Sequence, residues 1–230
     1  MNHNQKLLQN DQQWEQNVYS YAKQNGIELS KPFHFGLNEK YLDATQNKIM
    51  IIGQETNKHP IYQQKETEQE RLEEQQKAIS YLNNQLNLIK TNPSPFWQLF
   101  RKLNKEGYTL CWNNIHPFQK YKNGKKNRVN KEIIDILYQE ESILQKQIEI
   151  ANPNLILLVA GPNYYYTIAK ALKINPNQLW KQRPTKTKYL SYLSYNNIPI
   201  LWTYHPRYLN KIKKRNELIQ EIIKISSTIQ

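Results

Sequence analysis

Cysteine is almost missing from this chain: Cys111 is the only one in 230 residues. An intramolecular disulfide is therefore excluded, as is a zinc or iron–sulfur centre built on several thiolates. No apolar run approaches the roughly 18 residues of a membrane span, and the opening MNHNQKLLQNDQQW has no apolar signal-peptide core. A cytoplasmic protein with no membrane partner is expected, nucleoid-associated in a bacterium or nuclear in a eukaryote. Internal repeats and linker-like stretches are absent too, and the length suits one sizeable α/β domain over 1–230. A P-loop, a GxGxxG turn and clustered metal carboxylates are all lacking. His3, His34 and His59 have no ligand partners at useful spacing, so the expectation is no metal and no cofactor.

Acids are also in short supply. Lys and Arg outnumber Asp and Glu by 32 to 19, giving a formal charge of +13 and a pI near 9.6. Coulomb attraction then favours a polyanionic partner, nucleic acid before an anionic membrane surface. Two basic clusters stand out: Lys120, Lys122, Lys125, Lys126, Arg128 and Lys131, and later Arg207, Lys211, Lys213, Lys214 and Arg215. Each follows an expected strand end, as a groove for a polyanion requires. Glu66, Glu68, Glu70, Glu73 and Glu74, with a Gln-rich continuation, predict a solvated helical lid or insertion that buries little.

What is present is a pattern of short apolar runs, IMII (49–52), LILLVA (155–160) and IPILW (198–202), with a weaker TLCW (109–112) after Gly107. Runs apolar at successive positions and bounded by turn residues read as buried parallel strands. Helical patterns lie between them at about 64–90, 95–105, 131–150, 162–173 and 208–228. The expected fold is α/β, a three-layer α/β/α arrangement around a central, mostly parallel four-stranded sheet.

Ligands of such sheets bind at the carboxyl ends of the strands. There the sequence places Gly53-Gln54-Glu55-Thr56-Asn57, Asn113-Asn114-Ile115-His116-Pro117, Gly161-Pro162-Asn163 and His205-Pro206-Arg207-Tyr208-Leu209-Asn210. Together they offer a carboxylate, amides, a glycine turn and an imidazole.

That set, in order from Lys48 to Asn210, resembles the uracil-DNA glycosylase superfamily. GQET resembles the water-activating GQDP motif of its best known branch. Ser94-Pro95 with PFWQLFRKL resembles the phosphate-contacting PPS turn and its helix, Asn113 or Asn114 the base-reading asparagine, and HPRYLN the HPSPLS motif. The resemblance implies a monofunctional, monomeric DNA glycosylase with water as nucleophile, carrying a helical insertion at about 58–92. Glu55, Thr56, Asn57, Arg207 and Tyr208 depart from the family pattern and leave the excised base open: uracil in repair, or a modified pyrimidine such as the modified cytosines of phage DNA in defence.

Residue roles follow from the chemistry that the resemblance implies. Cleavage leaves positive charge on the sugar and negative charge on the base, so a carboxylate and a donor belong on opposite sides of the bond. Glu55 is expected to stabilise the sugar and position water, and His205 to donate to the base oxygen. An amide suits a pyrimidine's Watson–Crick edge, which makes Asn114 the first choice, Asn113 the second, and Gln54 and Gly53 supporting contacts. Phe96 or Tyr62 would stack on the base, and His116 either lines the pocket or is satisfied within its loop. Leu209 takes the place of the leucine that enters the duplex, and Ser94, Arg207, Tyr208, Lys211 and Lys213 would contact DNA. The alternative is a binding module that keeps the fold and groove without catalysis.

Overall fold

The computed structural model describes residues 1–55, 59–89, 91–139 and 142–229. Helix α1 (His3–Gln24) and short strand β1 (Glu28–Leu29) come first, then α2 (Glu39–Asp43) and strand β2 (Lys48–Glu55). Helices α3 (Glu68–Leu86) and α4 (Pro95–Lys105) lead to β3 (Thr109–His116), to the small strands β4 (Lys120–Lys122) and β5 (Lys125–Asn127), and to α5 (Lys131–Leu137) and α6 (Ile143–Ala151). Strand β6 (Leu155–Leu158), a 3-10 turn (Pro162–Tyr164), α7 (Tyr165–Leu172) and α8 (Pro176–Gln182) precede β7 (Leu190–Tyr195) and β8 (Ile198–Thr203). Last come α9 (Pro206–Lys211) and α10 (Arg215–Ile229).

The main sheet has the order β3-β2-β6-β8-β7. Strands β3, β2, β6 and β8 are mutually parallel, and β7 runs antiparallel to β8. The four expected strands are therefore joined by a fifth, a correction to the four-stranded sheet. Its sequence, LSYLSY, has half-exposed positions rather than a continuous apolar run, as an edge strand allows. Asn196 and Asn197, at φ 47° and 63°, turn β7 into β8, the two positive-φ residues of a tight hairpin.

Alternate side chains of the strands feed two cores. Met50, Ile52, Cys111, Ile156 and Trp202 face α1, α5, α6 and α7. Ile49, Ile51, Leu110, Leu157 and Leu201 face α4, α10 and the end of α3. The connection leaving β2 packs on one face while those leaving its neighbours β3 and β6 pack on the other, so the chain parts at the carboxyl end of β2. Sheets of this kind open a ligand crevice at such a point.

Several helices depart from expectation. The single helix expected over 131–150 is two, and Lys173 Nζ donates to the carbonyls of Tyr138 and Gln139 at the end of the first. That expected over 208–228 is broken by Lys213 at φ 56°. Helix α1 was not anticipated, because carboxylates interrupt its buried stripe: Leu7, Trp14, Val18 and Ala22 share it with Asp11 and Glu15. The acidic segment was expected to bury little, yet Glu66, Arg71, Gln75 and Gln85 are each no more than 4% exposed.

The reason is a buried ion network. His34 Nδ1 lies 3.1 Å from Asp11 Oδ2 and its Nε2 lies 2.9 Å from Glu66 Oε2. Arg71 Nη2 is 2.8 Å from Glu15 Oε2, and Lys31 Nζ is 3.1 Å from Glu66 Oε1. Gln75 Nε2 donates to the Asn4 and Phe35 carbonyls. A Cβ at Gly36 would come within 2.8 Å of both Gln75 and Ile79 side chains. Helix α3 is thus fastened to α1 and to the 32–38 segment. Among the described residues no helix is long and apolar enough to cross a membrane.

Candidate active site

At the carboxyl edge of the sheet lies a cleft of about 900 Å³. Its inner end is built from the strand termini, namely Gly53, Gln54 and Glu55 of β2, Asn114 of β3, and His205 and Arg207 after β8, with Ser94 and Phe96 at the start of α4. Thr56 and Asn57, the altered positions after Glu55, lie outside the described residues.

Glu55 stands opposite His116 in the β2–β3 register. Its Oε2 is 3.6 Å from His116 Nδ1, and the carboxylate side chain keeps 25% of its surface exposed. His116 is held from the other side by Thr167 Oγ1 at 3.2 Å from Nε2 and is 3% exposed. Tyr164, from the turn after β6, places its ring 5.5 Å from His116. Burial first, and then the Glu55 carboxylate that the hydroxyl faces, raise the Tyr164 pKa well above its ordinary value. Glu55 therefore sits between the His116 imidazole and the Tyr164 hydroxyl, with a quarter of its side chain exposed.

His205 is the N-cap of α9, and its Nδ1 accepts the Arg207 backbone N–H at 3.2 Å. Burial first, and then the adjacent Arg207 charge, lower its pKa. A neutral ring whose Nδ1 is an acceptor carries its proton on Nε2. The imidazole lies nearly parallel to Phe96, 13° between planes at 6.1 Å.

The two asparagines separate by strand pleat. Asn114 turns toward the cleft, 7% exposed, and its Nδ2 has no hydrogen-bond partner among the described residues. Asn113 turns to the opposite face, where Nδ2 donates to Gln147 Oε1 at 2.7 Å and Oδ1 accepts the Asn114 N–H at 2.8 Å. Asn113 is outside the cleft, which corrects its place among base-contacting candidates. Gly53 makes room for its neighbour: a Cβ there would sit 2.8 Å from Asn114 Oδ1 and 3.4 Å from the Phe96 ring. Gln54 lines the cleft but spends its Nε2 on the Ala160 carbonyl at 2.9 Å.

The remaining candidates divide. Ser94 caps α4, its Oγ accepting the Trp97 N–H, and lines the cleft. Arg207, Lys211 and Lys213 are exposed. Tyr208 packs on Tyr204 with ring centroids 4.4 Å apart and planes tilted by 34°, and does not line the cleft. Leu209 is fully buried in the α4–α10 core, because the first turn of α9 points it inward, and a side chain spent on that core cannot enter a duplex. Tyr62 likewise stacks on Tyr19 at 3.8 Å, away from the cleft.

Some contributors had no legible signal. Trp112 lines the cleft with Phe33, Phe96 and Trp97 packed around it, and its Nε1 is buried without a partner. Nothing in TLCW distinguishes that ring from a core residue. Tyr164 belongs to a run of three tyrosines, any of which fits the sequence pattern. Glu74, Lys77, Ala78 and Tyr81 of α3 form the outer wall.

Asp11, Glu15 and His34 bring possible metal-ligand atoms within 4.8 Å of one another, so His34 does have partners in space that its sequence neighbours do not disclose. Both imidazole nitrogens already face carboxylates, which can only accept, so the ring must donate twice and be an imidazolium. Burial lowers its pKa, but the bonds to Asp11 and Glu66 outweigh that and raise it to about 9. The group is an ion cluster in the wall of the cleft. No family model and no curated protein matches the chain.

Proposed function

We propose that this protein is a DNA glycosylase of the uracil-DNA glycosylase superfamily, which flips a pyrimidine nucleotide from DNA and hydrolyses its N-glycosidic bond. The observation that carries this reading is the convergence, at one crevice, of the Glu55 carboxylate, the unpaired Asn114 amide and the Nε2–H of a neutral His205. A buried amide donor without an acceptor costs about 1–3 kcal/mol, and a carbonyl on a bound base relieves that cost.

The roles follow from charge. As the C1′–N1 bond breaks, its electron pair leaves with the base and is stabilised at the base oxygen by His205 Nε2–H. The positive sugar is stabilised by the Glu55 carboxylate, and a water adds to C1′ and loses its proton to that carboxylate. His116 and Tyr164 hold Glu55 in place, and Asn114 reads the Watson–Crick edge. The +13 charge, Arg207, Lys211, Lys213 and the start of α4 with Ser94 serve the phosphates. Leu209 takes no part in the duplex. The role is base-excision repair if the base is uracil, and defence if it is a modified cytosine.

The test is base release from DNA duplexes containing uracil or a modified cytosine, scored as alkali-sensitive strand breakage, for wild type, Glu55→Gln and His205→Ala. Loss of about 10²–10⁴-fold in each variant is expected. Tight DNA binding without release from any duplex would refute the enzyme and leave a DNA-binding module of the same fold.

A further inference from the structure

The cleft is larger than the proposed reaction needs. A flipped pyrimidine nucleotide, whose sugar and phosphate would meet Glu55, Ser94 and Arg207 in the same cleft, has about twenty non-hydrogen atoms and fills roughly 600 Å³ on a scale of ~30 Å³ per non-hydrogen atom, against about 900 Å³ in the cleft, which leaves room for a group the size of one sugar. The proposed chemistry gathers at the strand termini, whereas α3 contributes Glu74, Lys77, Ala78 and Tyr81 to the lining, with Phe33, His59 and Lys126 from other segments. That wall is held in place: the His34, Glu66 and Arg71 ion pairs and the two Gln75 hydrogen bonds tie α3 to α1 and to the segment bearing Phe33.

The lining of the outer end narrows what it can hold. Tyr81, Trp112 and Phe33 supply aromatic faces, which suit the C–H faces of a sugar ring. Glu74 and Lys77, paired at 2.7 Å, and the imidazole of His59 supply acceptors and donors for hydroxyls. The charged groups of the wall disfavour a purely apolar occupant. On a pyrimidine, only the edge facing the major groove carries a large group without breaking base pairing.

Resting on the glycosylase reading, we infer that the outer end of the cleft is a subsite for a sugar-sized, hydrophilic group carried on the major-groove edge of the flipped pyrimidine. The preferred substrate is then DNA with a hypermodified pyrimidine, of which glucosylated 5-hydroxymethylcytosine is a suitable probe.

The experiment uses duplexes of one sequence containing uracil, 5-hydroxymethylcytosine or glucosylated 5-hydroxymethylcytosine at one position. Base release under single turnover and binding by fluorescence anisotropy are measured for wild type, Ala78→Phe, which fills the outer end, and Tyr81→Ala, which removes an aromatic face. Release of the glucosylated base at least tenfold faster than of 5-hydroxymethylcytosine is expected. Both variants should lose that advantage, while release of the smallest accepted base stays within about twofold of wild type. Refusal of the glucosylated base with release of the smaller ones overturns the inference, as does an advantage that neither variant changes. If no base is released from any duplex the glycosylase reading fails, and binding decides the subsite. A tenfold preference for glucosylated DNA that Ala78→Phe abolishes upholds it, and equal binding of all duplexes overturns it.

Discussion

Replacing His34 by Gln should remove most of the pH dependence of stability between neutral and alkaline conditions. The folded-state pKa of His34 is about 9, against 6.5 for the free side chain. That difference of about 2.5 units corresponds to about 3 kcal/mol at 1.36 kcal/mol per unit. Because the folded pKa is the higher one, the contribution is complete below pH 6.5 and disappears as pH rises through about 9. Glu15, whose pKa burial raises to about 7, loses stability in the same direction as it ionises. Glu66 acts oppositely: burial raises its pKa, but His34 and Lys31 outweigh that and lower it, so its contribution is lost on acidification. Urea unfolding followed by tryptophan fluorescence should show wild-type stability falling by about 3 kcal/mol from pH 6.5 to 9.5. His34→Gln should begin about 3–5 kcal/mol lower, the cost of breaking a buried ion network, and should vary little over that range. A variant that keeps the wild-type slope would refute the doubly hydrogen-bonded imidazolium.

Three further outcomes are expected. Asn114→Ala should lower base release by about 10²-fold while leaving the unfolding midpoint nearly unchanged, because Nδ2 has no partner to lose among the described residues; Asn113→Ala should cost about 1–3 kcal/mol of stability by orphaning Gln147. Leu209→Ala should cost about 2–5 kcal/mol in urea unfolding, with DNA affinity measured on the folded protein unchanged. The pH profile of base release should have an acid limb that His205 sets below the ordinary histidine value, since burial and Arg207 lower its pKa; an acid limb unaltered in His205→Gln would assign it elsewhere.

The parallel strands were legible because burial on both faces leaves no choice but apolar side chains at successive positions. The strand ends were legible for the converse reason: Glu55, Asn114 and His205 are polar where a buried sheet stops. Helix α1 was hidden because its buried face carries Asp11 and Glu15, whose partners His34 and Arg71 lie far along the chain. The same distance concealed the burial of α3, whose glutamates read as a solvated run until Glu66 meets His34. Pleat parity decided between Asn113 and Asn114: Asn114 shares its face with Leu110 and Trp112, and Asn113 shares its face with Cys111. Leu209 was misplaced because a motif fixes its position in the chain, whereas the first turn of α9 fixes its direction.

The two ends of the cleft come from different kinds of backbone. Strand termini bring Glu55, Asn114 and His205 together, so their spacing is set by the register of the sheet. The opposite wall is one helix, α3, whose ends need only reach β2 and α4. Variation at Glu74, Lys77, Ala78 and Tyr81 would therefore reshape the chamber without touching the proposed bond-breaking groups. A combinatorial library confined to those four positions, selected on DNAs of differing base chemistry, is a practical route to retargeted variants of the same scaffold.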